Sequence, residues 1–431
     1  MSEDRGRKPR VVVTGMGVVT PVGHDVASTW AALLAGTSGG GTITLFEHNE
    51  DFPTRIAAEV KGWDPTKVLD PKDARRFDRY AQFGVAAASE AMVHAGLADG
   101  TGPQVRPIEG KVRPERIGVV WGSGIGGIAT LEENARILAQ KGPKRVSPFF
   151  IPMFIPDIAA GLISIRFNAQ GPNYATVSAC ASSAHAIGNS LRYLQNGDAD
   201  VMIAGGSEAT ITPLTVAGFA SMKAMTTRND DPTHASRPFD LHRDGFLIAE
   251  GGGALILETL EHAQARGATI HGELVGYGLS ADAYHITSPA PEGRGAQVAM
   301  KLALQDAGAS PDEVDYVNAH GTSTPMNDTN ETAAIKAVLG PQAYKAVVGS
   351  TKSMTGHPLG AAGGIEGVIS TLVCREGLIP PTINFTTPDP TCDLDYALEG
   401  KRAKSVRLAL SNSFGFGGHN VCLAIRRWDG K

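Results

Sequence analysis

Short apolar, β-branched runs alternate along this chain with longer stretches whose apolar residues recur at helical spacing. Val11-Val12-Val13 predicts a buried strand ending at a glycine turn, Gly15-Met16-Gly17. Helices are expected over 25–34 and 73–95, the second with Phe77, Tyr80, Ala81, Val85 and Ala88 on one face. A strand over 117–121 leads into GSGIGG and a helix near 128–140. A proline-rich loop (147–156), a strand at 175–178 and a helix over 181–194 follow. A strand over 201–204 is expected to stop at Gly205-Gly206, and one over 251–257 closes a first half.

After a polar helix near 261–266 the same grammar restarts. Strands are expected at 274–277, 314–318 and 346–349, helices at 296–307 and 328–338, and a glycine-rich helix from about Leu359. The last segment, RLALSNSFGFGGHNVCLAIRR, reads as two strands joined by a glycine loop. Strands alternating with helices predict an α/β fold. The chain divides into a tail (1–9), a first half (10–260) and a second half (261–431), with no strong sequence repeat between the halves.

Composition narrows the classes. With 431 residues, 42% hydrophobic and 19% charged, the chain is ordinary globular material with enough length for a large core. A formal net charge of −5 argues against a general nucleic-acid binder. The four cysteines, Cys180, Cys374, Cys392 and Cys422, are far apart and match neither zinc-site spacing nor a disulfide framework. No secretory h-region and no run of about 18 apolar residues is present, so a membrane span is not expected and a reducing, cytoplasmic setting is.

Candidate chemistry concentrates in a few motifs. VSACASSAHAIGNSL places Cys180 where a β-branched run gives way to a helix, a position at which N–H groups and the helix dipole favour a thiolate. By itself the segment fits a buried structural cysteine equally well. NAHGTSTPMND and STKSMTGHPLGAAGGIE each place a histidine, His320 and His357, just beyond a predicted strand, where open α/β sheets put ligand sites. No histidine or carboxylate spacing there supports a metal. In SNSFGFGGHN the glycines around Phe414 and Phe416 admit close backbone approach, either as an oxyanion donor or as a plain hairpin. GSGIGG fits the dinucleotide fingerprint, but no acidic strand end follows it, so nicotinamide binding is rejected.

Taken in order, Cys180, His320, Lys352, His357 and GFGGHN resemble the β-ketoacyl-acyl carrier protein synthases, and GPKRVSPFF, TTRND and SRPFD point to their elongating members. The resemblance runs over nearly the whole chain. It implies a thiolase fold of two similar βαβαβαββ halves in an αβαβα arrangement, as a homodimer. The implied reaction is decarboxylative condensation of malonyl-acyl carrier protein with an acyl chain on Cys180, in fatty acid biosynthesis, with no cofactor or metal. Polyketide chemistry, or a non-catalytic subunit that sets chain length, are the alternatives. Cys180 counts against that subunit, and the lack of a second matching cysteine motif counts against a thiolase.

By the same resemblance, Cys180 is the nucleophile, His320 and His357 are the catalytic pair, and Lys352 and Glu366 support them. The backbone N–H groups of Cys180 and Phe416 form the oxyanion hole. Ile125, Phe219, Phe414 and Phe416 line or gate the acyl pocket, and Thr322 and Thr324 face the pantetheine arm. Arg75, Arg76, Lys144, Arg145 and Lys223 would dock the acyl- or malonyl-loaded carrier. His419 departs from the GFGGTN common in elongating enzymes.

Overall fold

The glycines that were expected to end the first strand lie inside it. In the computed structural model, which describes residues 8–430, β1 runs unbroken through Val11–Val19. A Cβ on Gly15 would stand 2.2 Å from the Ala91 carbonyl oxygen, and one on Gly17 would stand 2.0 Å from that of Ala87. These glycines are therefore contact points for a helix, α2 (Arg79–His94), pressed onto the strand. The expected helix over 73–95 is cut in two, because the Asp78 side chain accepts from Tyr80 N and caps α2.

Nine further strands complete the main sheet: β2 (Ile117–Gly122), β3 (Asn173–Thr176), β4 (Val201–Glu208), β5 (Gly251–Thr259), β6 (Gly272–Ala281), β7 (Val314–Asn318), β8 (Val347–Gly349), β9 (Leu408–Gly415) and β10 (His419–Arg426). Their order is β8-β7-β9-β10-β6-β1-β5-β4-β2-β3. From the β1–β6 seam outward, each half runs through its own first, fifth, fourth, second and third strand. Second, third and fourth strands are parallel in both halves, and the fifth is antiparallel to the fourth and first. The seam itself is short: Val12 pairs with Glu273 and Val13 with Gly272.

Helices α5 (Ser182–Asn196) and α9 (Ala362–Glu376) touch each other and strands of both halves, forming a middle layer. Outside lie α2 with α4 (Ile158–Phe167) on the first half, and α7 (Arg294–Asp306) with α8 (Pro325–Leu339) on the second. α5 and α9 bury apolar residues from both halves in one core, including Ile187, Leu191, Ile365, Ile369, Leu255 and Leu423. The α/β, αβαβα arrangement is the expected one.

Several local expectations shift. β4 continues through Gly205-Gly206 to Glu208, and β3 ends at Thr176, before Ser178. The loop over 147–156 contains a short helix, Phe150–Phe154, and α4 and α6 (Pro213–Ser221) were not anticipated. Residues 1–7 of the expected tail lie outside the described residues, while Lys8 and Pro9 are exposed. Among the described residues, no helix is long and apolar enough to cross a membrane.

Candidate active site

Between β3 and α5 the backbone makes a tight turn that presents one sulfur. Ser178 N donates to Ser182 Oγ at 2.9 Å, and Ser182 Oγ donates to Ala179 O at 2.6 Å, so one hydroxyl closes the turn on both sides. Ala179 adopts φ +51, a left-handed conformation uncommon outside glycine. Cys180 follows, only 8% exposed and two residues ahead of α5.

The second half brings two imidazoles to this sulfur. His320 lies just after β7, and its N–H and that of Gly321 each donate to the buried Glu331 carboxylate at 2.8 Å. His357 lies between β8 and α9, and its N–H donates to Leu247 O at 2.8 Å while its carbonyl accepts from Ala249 N. His357 Nε2 is 3.0 Å from Cys180 Sγ. The two imidazole planes are nearly perpendicular, with centroids 5.3 Å apart, and Phe246 and Phe414 pack against His357 and His320.

Burial governs the charges. It holds both histidines well below the usual imidazole range, and the nearby Lys352 charge pushes the same way, so both rings are neutral. Burial also pushes the Cys180 thiol up to about 12, with Lys352 the largest opposing influence. Burial therefore works against the helix-stabilised thiolate expected from the sequence and favours a thiol. Lys352 pairs with Glu366 in the interior, and burial pushes Glu366 up to about 7 against that pairing.

The sulfur and one nitrogen of each ring lie within 4.8 Å of one another, a donor set of the kind zinc accepts. However, Nδ1 of both histidines is buried with no hydrogen-bond partner among the described residues. The carboxylate or carbonyl that orients a metal-ligating histidine is thus lacking at both rings. Two neutral imidazoles beside a thiol can instead take up a proton and offer N–H groups to a developing oxyanion.

Cys180, His320 and His357 line a cavity of about 500 Å³. Ile125, Phe219, Phe414 and Phe416 also line it, with Phe219 and Phe416 ring centroids 6.4 Å apart. Gly415 sits so near the nucleophile turn that a Cβ there would be 2.6 Å from Ser178 O and 3.2 Å from Cys180 N. Thr322 and Thr324 line the cavity with their hydroxyls 2.9 Å apart, and Lys223 lines it too. Arg75, Arg76, Lys144 and Arg145 are exposed, and the Arg76 guanidinium lies 4.7 Å over the Phe149 ring, near Arg145 in sequence.

Three residues with no place in the sequence reading support this site: Glu208, Glu331 and Phe246. Glu208 explains the dinucleotide-like GSGIGG. Its buried carboxylate accepts from Gly124 N, Ile125 N and Ser123 Oγ, so the loop cradles an anion supplied by the protein itself. The sequence signal for it was an acid closing an otherwise apolar strand, VMIAGGSE.

Family models for the β-ketoacyl synthase N-terminal domain and C-terminal domain match residues 8–263 and 271–386. The chain is 53% identical to 3-oxoacyl-[acyl-carrier-protein] synthase 2 of Synechocystis sp., over 98% of this chain and 99% of that protein. It is 49% identical to the protein of the same name from Coxiella burnetii, over 97% and 99%. Among solved structures, a β-ketoacyl synthase from Burkholderia phymatum superposes with TM-score 0.89 at 35% identity, covering 97% of this chain and all of that one. A type II polyketide ketosynthase solved with its acyl-carrier protein and a hexaketide gives the same score and identity, covering 98% and 100%. With both halves matched by the family models and a relative 53% identical over nearly its full length, this chain belongs to the β-ketoacyl synthase family.

Proposed function

We infer that this protein lengthens an acyl chain by two carbons, condensing it with malonyl-acyl carrier protein to give a 3-oxoacyl product in fatty acid synthesis. The observation that carries the reading is Cys180 Sγ at 3.0 Å from His357 Nε2, with His320 at the same cavity wall. The two curated relatives at 49–53% identity share this activity by name, whereas the polyketide ketosynthase is 35% identical.

Cys180 attacks the acyl thioester, and as its C–S bond forms the sulfur proton passes to His357 Nε2. The ring returns that proton to the departing pantetheine sulfur, which leaves as a thiol. Malonyl thioester then enters past Thr322 and Thr324, and its terminal C–C bond breaks to release carbon dioxide. The bonding pair becomes an enolate, whose oxygen is met by the N–H of His320 and by that of His357, whose neutral ring shifts to its Nε2–H tautomer once acylation is over. Their neutrality, enforced by burial and Lys352, supplies donors without placing two cations side by side. The enolate carbon attacks the acyl carbonyl, the backbone N–H groups of Cys180 and Phe416 hold its oxyanion, and the Cys180 sulfur leaves as a thiolate that takes a proton from solvent to restore the thiol. Glu366 balances the Lys352 charge.

Ile125, Phe219, Phe414 and Phe416 enclose the acyl chain. Arg75, Arg76, Lys144, Arg145 and Lys223 receive the acidic carrier. The chain works as a homodimer; exposed Val177, next to the outer edge of β3, supports pairing there. Intact-mass measurement after mixing with acyl carrier protein tests the first step: one acyl adduct on Cys180 is expected, and an adduct elsewhere overturns the assignment.

A further inference from the structure

Glu208 closes β4 and is fully buried, yet none of the chemistry above uses it. Its four hydrogen bonds reach two loops from opposite halves of the chain. Gly124 N (2.6 Å), Ile125 N (3.2 Å) and Ser123 Oγ (3.0 Å) belong to the loop walling the acyl cavity. Gly360 N (3.0 Å) belongs to the turn that follows His357 and leads into α9. The loops also meet directly: a Cβ on Gly360 would stand 2.2 Å from Gly124 N and 2.6 Å from the Glu208 carboxylate.

A carboxylate in such a place is costly, and four donors do not fully offset the burial, which pushes Glu208 up to about 7. Buried charges are strong stability contributors only rarely, but they fix geometry well when every lone pair is used. On the reading that Cys180 carries the acyl chain and His357 serves the malonyl unit, we propose that Glu208 is a positioning residue. It holds the acyl-pocket loop and the His357 turn in one register, so that a single side chain sets both half-reactions.

The chemistry at position 208 makes this testable. All four partners donate, two to each carboxylate oxygen. In Glu208→Gln, whichever way the amide turns, its NH₂ group faces two donors. Glu208→Asp keeps four acceptor lone pairs on a shorter stem. Ser123→Ala removes one donor and leaves the carboxylate.

The experiment measures two rates in wild type and these three variants: Cys180 acylation by acyl carrier protein, from intact mass, and carbon dioxide release from malonyl carrier protein by pre-acylated protein. Glu208→Gln is expected to slow both by at least about tenfold, the scale of one buried polar mismatch. Glu208→Asp should recover most of both rates, and Ser123→Ala should lower both together by a smaller factor. A Glu208→Gln protein that melts earlier but keeps both rates within about twofold would show a purely structural role. Loss in one step alone would show that the loops are independent; either result overturns the proposal. Should Glu208→Gln fail to fold, Ser123→Ala and Glu208→Asp decide by the same comparison of the two steps. A wild-type protein that takes no acyl group on Cys180, or releases no carbon dioxide, would instead overturn the underlying reading.

Discussion

The two halves of this chain share one strand order but carry different chemistry at matching places. In the first half, the connection from third strand to middle helix carries Cys180; in the second, the same connection carries His357. After the second strand, one half has GSGIGG and the other His320-Gly321. Both of those loops give consecutive N–H groups to a buried carboxylate, Glu208 in one and Glu331 in the other. The lesson is a division of labour: one backbone frame, used twice, places a proposed nucleophile in one copy and its proposed partners in the other. The sheet contact between the copies is short, so α5 and α9 have to set the distance between sulfur and imidazole.

The largest effects are expected at the sulfur and the two imidazoles. Cys180→Ala should lower condensation by roughly 10⁶-fold, the scale for losing a covalent nucleophile, with no acyl adduct in intact mass. His320→Ala and His357→Ala should each cut carbon dioxide release by about 10²–10⁴-fold. Only His357→Ala should also slow acylation, because His357 Nε2 stands at hydrogen-bonding distance from the sulfur, 3.0 Å. Equal acylation defects in the two variants would remove the distinction between them.

The protonation state of Cys180 gives a further test. With the thiol pushed up to about 12, its alkylation by iodoacetamide should climb about tenfold per pH unit from 7 to 10. A rate already level across this range would restore the helix-stabilised thiolate. The smallest effects probe the shared frame. Gly17→Ala and Gly278→Ala each drive a Cβ to 2.0 Å from a helix carbonyl, of Ala87 and Ala299 respectively. Each should cost about 1–3 kcal/mol in thermal or denaturant unfolding, and the two costs should match. Unequal costs would mean that the halves tolerate the same strain differently.

That glycine pair also shows why the repeat was hard to read. Gly15-Met16-Gly17 and Gly276-Tyr277-Gly278 occupy the same place in the two first strands, each just past a register shift. Each glycine presses on an alanine carbonyl, of Ala91 and Ala87 in one half and of Ala303 and Ala299 in the other. Two glycines and two alanines among dissimilar neighbours are too little sequence to register as a repeat, although they fix the helix–strand distance. Taken as turn formers, Gly15 and Gly17 cut β1 short in the sequence reading, since local propensity says nothing of a helix arriving from elsewhere in the chain.

Alternation of strands and helices was legible because burial repeats along each element, and β7 matches its expected span, Val314–Asn318. The site was legible as motifs, but its electrostatics were not. Cys180 sits near a helix start, yet its burial depends on side chains from both halves, which no local segment contains. Glu208 and Glu331 stayed hidden for the same reason, since their partners are the backbone N–H groups of distant loops.

A thiol that stays protonated until it attacks has a consequence for the chemistry of stress and of inhibition. Peroxide and small electrophiles react with the thiolate, so a sulfur pushed up to about 12 offers them very little of the reactive form at neutral pH. Burial thus works against oxidation of this sulfur, and the other three cysteines are likewise buried and free. An inhibitor aimed at Cys180 therefore gains less from a more reactive warhead than from an apolar tail that fills the space between Ile125 and Phe219, holding a mild electrophile beside the sulfur and the His357 ring.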